Sequence, residues 1–115
     1  MHELAVCQSL LGQVDAVARS RAARAVTDIY VSVGPLSGVE LPLLHRAFPL
    51  AAAGTVADGA RLHLEASPVR VRCNTCGAET AATVNRLVCG DCSDWRTQLC
   101  SGDELLLQRI EMQVN

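Results

Sequence analysis

Lysine is absent from this sequence, and rings are scarce: aromatics make up 3% of the 115 residues, with one Trp, one Tyr and one Phe. So few rings exclude an aromatic-rich core and the stacking platforms on which single-stranded nucleic acids lie. The net charge of −2 and a pI near 5.8 exclude the clustered basic surface that phosphate binding needs, so no nucleic-acid partner is expected. That all ten basic residues are Arg follows genomic base composition as readily as chemistry, and carries no functional reading. Nor is there an apolar run long enough to span a bilayer. The opening "MHELAVCQSL" carries His2 and Glu3 where an export signal would be basic, so a cytoplasmic protein without a membrane association is expected.

Half of the residues are hydrophobic, which allows one small core built from Leu, Val and Ala. Six cysteines in a reducing compartment make metal or redox chemistry the default reading over a disulfide framework. Their spacing is informative. In "VRCNTCGAETAATVNRLVCGDCSDWRTQLCSGDE", Cys73 and Cys76 form one CxxC and Cys89 and Cys92 another, with twelve residues between the pairs. Each CxxC turn aims two thiolates at one point, and two such knuckles complete a tetrahedral sulfur set for Zn²⁺. Four thiolates leave no open position for water or substrate, so the zinc is structural, not catalytic. Arg70, Arg72, Arg86 and Arg96 flank the knuckles and are expected to offset their charge. Gly77 and Gly90 are expected to supply the freedom of φ that tight knuckles require. Cys7 reads as a small buried hydrophobe and Cys100 as a spare thiol.

Elsewhere the pattern is of ordinary elements. Leu4, Cys7, Leu10, Leu11, Val14, Val17 and Ala18 recur at helical spacing, with Glu3, Gln8, Gln13 and Asp15 polar, which predicts an amphipathic helix over 4–18. "VTDIYVSV" alternates, Thr27, Ile29, Val31 and Val33 against Asp28, Tyr30 and Ser32, predicting a half-buried strand stopped by Gly34 and Pro35. "SGVE" has the form of a capping box, Ser37 accepting from the Glu40 amide, ahead of a helix in "LPLLHRAFPLAAAG" that Pro49 should kink or end. "ARLHLEA" and "ELLLQRIEMQV" read as strands, the second less regular. His45 and His63 have no ligand-spaced neighbour and read as ordinary histidines.

Taken end to end, "MHEL" with "QSLL", "VGPLSGVE", the paired CxxC motifs and "SGDELLLQRIE" resemble the HypA nickel metallochaperones of hydrogenase maturation. The resemblance implies Ni²⁺ at Met1, His2 and Glu3 and Zn²⁺ at Cys73, Cys76, Cys89 and Cys92. It implies an α/β (α+β) fold: a three-stranded sheet with two helices forming a discontinuous nickel-binding domain, 1–68 with 103–115, and an inserted zinc-ribbon-like module at 69–102. It also implies delivery, not catalysis. The partners would be the nickel-handling GTPase of the pathway and the large subunit of a nickel-iron hydrogenase, with urease accessory proteins a further possibility in some relatives. Within such a terminus the Met1 amine, the His2 amide and imidazole and the Glu3 amide close successive chelate rings into a planar nitrogen set that suits Ni²⁺. Two other classes share the paired CxxC: a rubredoxin-like electron carrier, which would be red with ferric iron, and a zinc-ribbon interaction or nucleic-acid module, which would retain DNA in a salt-dependent way.

Overall fold

The structure, a computed structural model, describes residues 3–114. The chain divides into two compact units. One gathers the stretch ending at Val31, Val39–Glu65 and the stretch from Leu106; the other gathers Ser32–Gly38 and Ala66–Leu105. Among the described residues, no helix is long and apolar enough to cross a membrane.

The first unit opens with α1, Glu3–Ser20, which buries Cys7, Leu10, Leu11, Val14 and Ala18 along one stripe. Removing each of those leucines from water stabilises the fold by roughly 2 kcal/mol. Three assignments along this stripe differ from expectation. Leu4 and Val17 are 47% and 37% exposed, whereas Glu3 is buried at 7%. The 3.6-residue period puts both leucine and valine at the edges of the apolar stripe, and Glu3 has an inward partner described below.

Strand β1, Ala23–Val33, follows a turn in which Ala22 takes φ 51°. It starts three residues before the alternating stretch that the sequence suggests. Helix α2, Leu41–Ala52, buries Leu44, Phe48 and Ala52 and lies against α1, where the Cys7 thiol points to the Leu44 carbonyl at 3.7 Å. The expected capping box gives way to another arrangement: the N-cap is Glu40, and its amide donates to the carboxylate of Glu3. Pro49 does not end α2. Its missing N–H leaves only the His45 carbonyl without that partner, at an exposed residue where water can take it, and the turn continues as Ala53 donates to the Pro49 carbonyl.

Strand β2, Arg61–Ala66, and strand β6, Leu105–Val114, flank β1 in a three-stranded sheet of order β2-β1-β6. The weak alternation of β6 has a structural counterpart: half-buried residues fall at Leu105 and Leu107, then change phase to Ile110 and Met112. In β1, Ile29 and Val31 are buried on one face as expected. Asp28 departs from the expected solvent-facing set, being only 4% exposed. Two partners on β2 enclose it, Arg61 Nε at 3.0 Å and His63 Nε2 at 2.8 Å, both on Oδ1.

The second unit contains β3, Arg70–Cys73, with β4, Glu79–Ala81, and β5, Thr97–Ser101, on either side of it, all antiparallel. In the same unit Gly34 donates to the Glu104 carbonyl and Leu36 to the Gly102 carbonyl, each at 2.7 Å. A Cβ on Gly34 would overlap the backbone of Gly102, so this crossing requires glycine. The Glu104 carboxylate accepts the Ser67 hydroxyl and the Gly102 amide, and the Ser67 amide donates to the Val33 carbonyl at 3.0 Å, which ties Ser67 to both the "SGDE" and the "VGP" segments.

Candidate metal centre

Strand β3 delivers Cys73 at its end, and the chain turns at once. The Gly77 amide donates to the Cys73 carbonyl, with Gly77 at φ 78°. The second knuckle repeats the turn: Ser93 donates to the Cys89 carbonyl, and Ser93 takes the left-handed φ of 64°. The left-handed position is therefore the residue after the second Cys of each pair. Gly77 fills it without strain, and Ser93 fills it at the cost a Cβ imposes there. Gly90 is needed for a different reason from the one expected. Its φ is not in that region; a Cβ there would press on Thr80 at 3.1 Å, and the Gly90 amide donates to the Thr80 hydroxyl at 2.8 Å.

The knuckles bring the four sulfurs within 4.8 Å of one another. Cys73 and Cys92 lie 3.6 Å apart, as do Cys76 and Cys89. A tetrahedron with sulfur at about 2.3 Å from its centre has edges of about 3.8 Å, so this donor set fits Zn²⁺. No other cluster of three or more His, Cys, Asp or Glu ligands occurs among the described residues.

Within each knuckle the first sulfur is buried and the second exposed. Cys73 Sγ accepts the amides of Thr75 and Cys76, and Cys89 Sγ those of Asp91 and Cys92. The amide of Cys76 foremost, with that of Thr75, holds the Cys73 thiol down to about 6. The amides of Cys92 and Asp91 lower Cys89 in the same way. Cys92 receives the Asp94 amide, which favours its thiolate, but the neighbouring sulfurs, Cys73 first, push it up to about 12. Four sulfurs so close together cannot all ionise without a cation among them. A divalent metal resolves that conflict.

Among the flanking arginines, Arg96 has its cation stabilised by Asp94 foremost, with the Cys73 and Cys92 sulfurs adding to it. Arg70 turns instead to Glu79, its guanidinium 3.7 Å from that carboxylate. The sequence reading missed Thr75 and Asp94. The Thr75 hydroxyl donates to Asp94 Oδ2 at 2.6 Å, across the two knuckles. The only signal in the sequence was the turn-forming "CSDWR" after Cys92.

Of the residues implied for nickel, Met1 and His2 lie outside the described residues. Glu3 begins α1, and its Oε2 accepts the Glu40 amide at 3.3 Å. His45 is exposed, and the His63 ring stacks on Tyr30 with centroids 4.3 Å apart.

Among the described residues, two helices, two small sheets and a four-cysteine cluster of zinc geometry define the class: a small α+β protein with a zinc-type metal site. A family model described as "Hydrogenase/urease nickel incorporation, metallochaperone, hypA" matches residues 1–112. The chain belongs to the HypA family of hydrogenase maturation factors. It is 42% identical over 112 residues to a hydrogenase maturation factor HypA from Nitrosospira multiformis, covering 97% of each chain. It is 38% identical over 115 residues to that of Aquifex aeolicus, covering 100% of both. Its fold is that of the Ni metallochaperone HypA from Helicobacter pylori, with a TM-score of 0.76, 24% identity and 100% of both chains covered.

Proposed function

We propose that this chain is a nickel carrier: it binds Ni²⁺ at its N-terminus and passes it on for the maturation of a nickel-iron hydrogenase, with a structural zinc held by Cys73, Cys76, Cys89 and Cys92. The family supports the pathway, and one feature of the fold supports the place. Glu3 is the first residue of α1, and the leading N–H groups of a helix have no intrahelical acceptor to lose. The Glu3 carboxylate is turned onto the Glu40 amide, and the donors in this reading are the Glu3 backbone nitrogen with the nitrogens of Met1 and His2, which precede it in sequence. Those nitrogens form the planar donor set. Each must shed a proton to coordinate, so loading rises with pH.

The carrier role calls for no covalent step by the protein. The nickel-binding domain in this reading comprises 1–68 and 103–115, and the zinc module 69–102. Delivery runs in the cytoplasm, by way of the pathway's nickel-handling GTPase to the hydrogenase large subunit, and urease accessory proteins would be further recipients. Tag-free protein whose metal content has been measured is titrated with Ni²⁺. A yellow, diamagnetic planar species that His2→Ala, or an extension ahead of Met1, abolishes while zinc content stays constant supports the reading. Retention of that species in the extended protein moves nickel elsewhere, with His45, His63 and Cys7 the next ligands to examine.

A further inference from the structure

Residues 94–96 touch both knuckles without supplying a sulfur. The Asp94 carbonyl accepts the Cys89 amide at 2.9 Å, and the Arg96 carbonyl accepts the Asn74 amide at 2.8 Å. The carboxylate of Asp94 adds side-chain bonds to these. It takes the Thr75 hydroxyl of the first knuckle on Oδ2, and the Arg96 amide and Nε on Oδ1 at 2.9 and 3.1 Å. The second guanidinium nitrogen reaches Oδ2 at 3.1 Å, so the Asp94–Arg96 pair is bidentate. The Asp94 side chain is 11% exposed, whereas Arg96 is 61% exposed and presents its cation at the rim of the cluster.

We infer that Asp94 is a positioning residue for the four-cysteine site: by joining Thr75 to the 94–96 strap it keeps the two knuckles closed and sets the rate at which the metal leaves. The physical argument is one of coupling. A sulfur set donated by two separate turns opens when one turn swings away, and the swing must first break whatever ties the turns together. Backbone bonds tie the strap to Asn74 and Cys89, and among the described residues the Asp94 carboxylate is what hydrogen-bonds it to a side chain of the first turn. Outer partners that fix metal ligands in this way commonly change metal affinity 10–100-fold when removed. The inference rests on the reading of the cluster as a zinc site.

The test measures zinc transfer from the full-length, zinc-loaded protein to a chromogenic chelator in excess, after metal analysis of each variant. Asp94→Ala is expected to release zinc about 10-fold faster, and Thr75→Val, which deletes only the hydroxyl, to speed release in the same direction. Thr75→Ser keeps the hydroxyl and restores the wild-type rate. Because the two residues act through one bond, the double variant releases no faster than Asp94→Ala alone. Cobalt(II) in place of zinc gives a second readout, its visible d–d bands shifting in Asp94→Ala as the tetrahedron relaxes. Should Asp94→Ala fail to fold, Thr75→Val carries the test. Release from Thr75→Val at the wild-type rate overturns the inference and leaves the zinc reading standing. A wild-type protein that holds no zinc overturns both.

Discussion

The carboxylate of Glu3 and the backbone amide of Glu40 are joined by a hydrogen bond of 3.3 Å, which ties the first turn of α1 to the N-cap of α2. A buried acid at the head of a helix is otherwise costly, and this amide is one of the partners that make it tolerable. If the role of the side chain is to orient the terminus, Glu3→Ala retains a backbone donor and weakens nickel binding about 10-fold. Glu3→Gln keeps an acceptor oxygen and stays within a few-fold of wild type. Nickel titration with zinc analysis alongside separates the two. Complete loss of the planar species in Glu3→Gln would instead make the carboxylate itself a ligand.

The zinc prediction follows from how little else holds the second unit together. Its buried hydrophobic side chains among the described residues are Val33, Val69, Val71, Cys73 and Cys89, two of them ligands by the reading above. Metal binding then takes the place of a core. Purified protein is expected to carry about one zinc per chain and to be colourless. Cys73→Ala or Cys92→Ala loses the metal and the amide-exchange protection of β3 and β5, which hydrogen exchange reads directly. An ordered second unit in metal-free protein contradicts this.

Asp28 gives a pH dependence with a defined sign. The hydrogen bond from His63 first, then those from Thr27 and Arg61, hold its carboxyl below the ordinary value. A depressed acid contributes stability that is fully present above the unfolded value of about 3.9 and is lost as pH falls through the folded one. Asp28→Asn should therefore melt about 5 °C lower at pH 7. The difference should shrink steadily below about pH 4. Thermal unfolding across pH 3 to 8 checks it, and a gap that persists unchanged at pH 3 would rule out ionisation as the cause.

At Gly34 the expected effect is steric. With the Gly102 backbone where a Cβ would sit, Gly34→Ala must displace the "SGDE" segment and break the amide bonds to Glu104 and Gly102. The loss should be about 3 kcal/mol, at the upper end for overpacking. Urea unfolding reads this, and Gly12→Ala, where a Cβ meets nothing within 4 Å, serves as the control.

What could be read from the sequence divides along a physical line. The ligand cysteines were legible because a CxxC turn is local: two residues fix the direction of two sulfurs. Helix α1 was legible from its period, and α2 from the start signal ahead of it. Asp28 was not, because alternation assigns a face but not a partner, and its partners Arg61 and His63 lie 33 and 35 residues away. Glu3 shows the same limit, its acceptor role being met by an amide 37 residues on. The capping box at Ser37 was a sound local signal that a long-range partner displaced. Strands β3 and β5 are too short, and their side chains too polar, for a period of two to show. Thr75 and Asp94 carry no distinguishing pattern, since a hydroxyl and a carboxylate in a turn usually meet water.

The position of β6 has a consequence for how the protein comes into being. Thr27 on β1 donates to the Glu111 carbonyl on β6, a pairing between residues 84 apart in the chain, whereas Cys73 and Cys92 are 19 apart. During synthesis every cysteine of the metal site leaves the ribosome before β6 does. Zinc can thus be captured by a short, local closure while β1 still has an open edge, and the sheet of the helical unit is completed afterwards by a distant strand. In a newly made chain the knuckles can therefore close on a metal before the sheet that contains β1 is complete, which makes the second unit independent of the last strand to be synthesised.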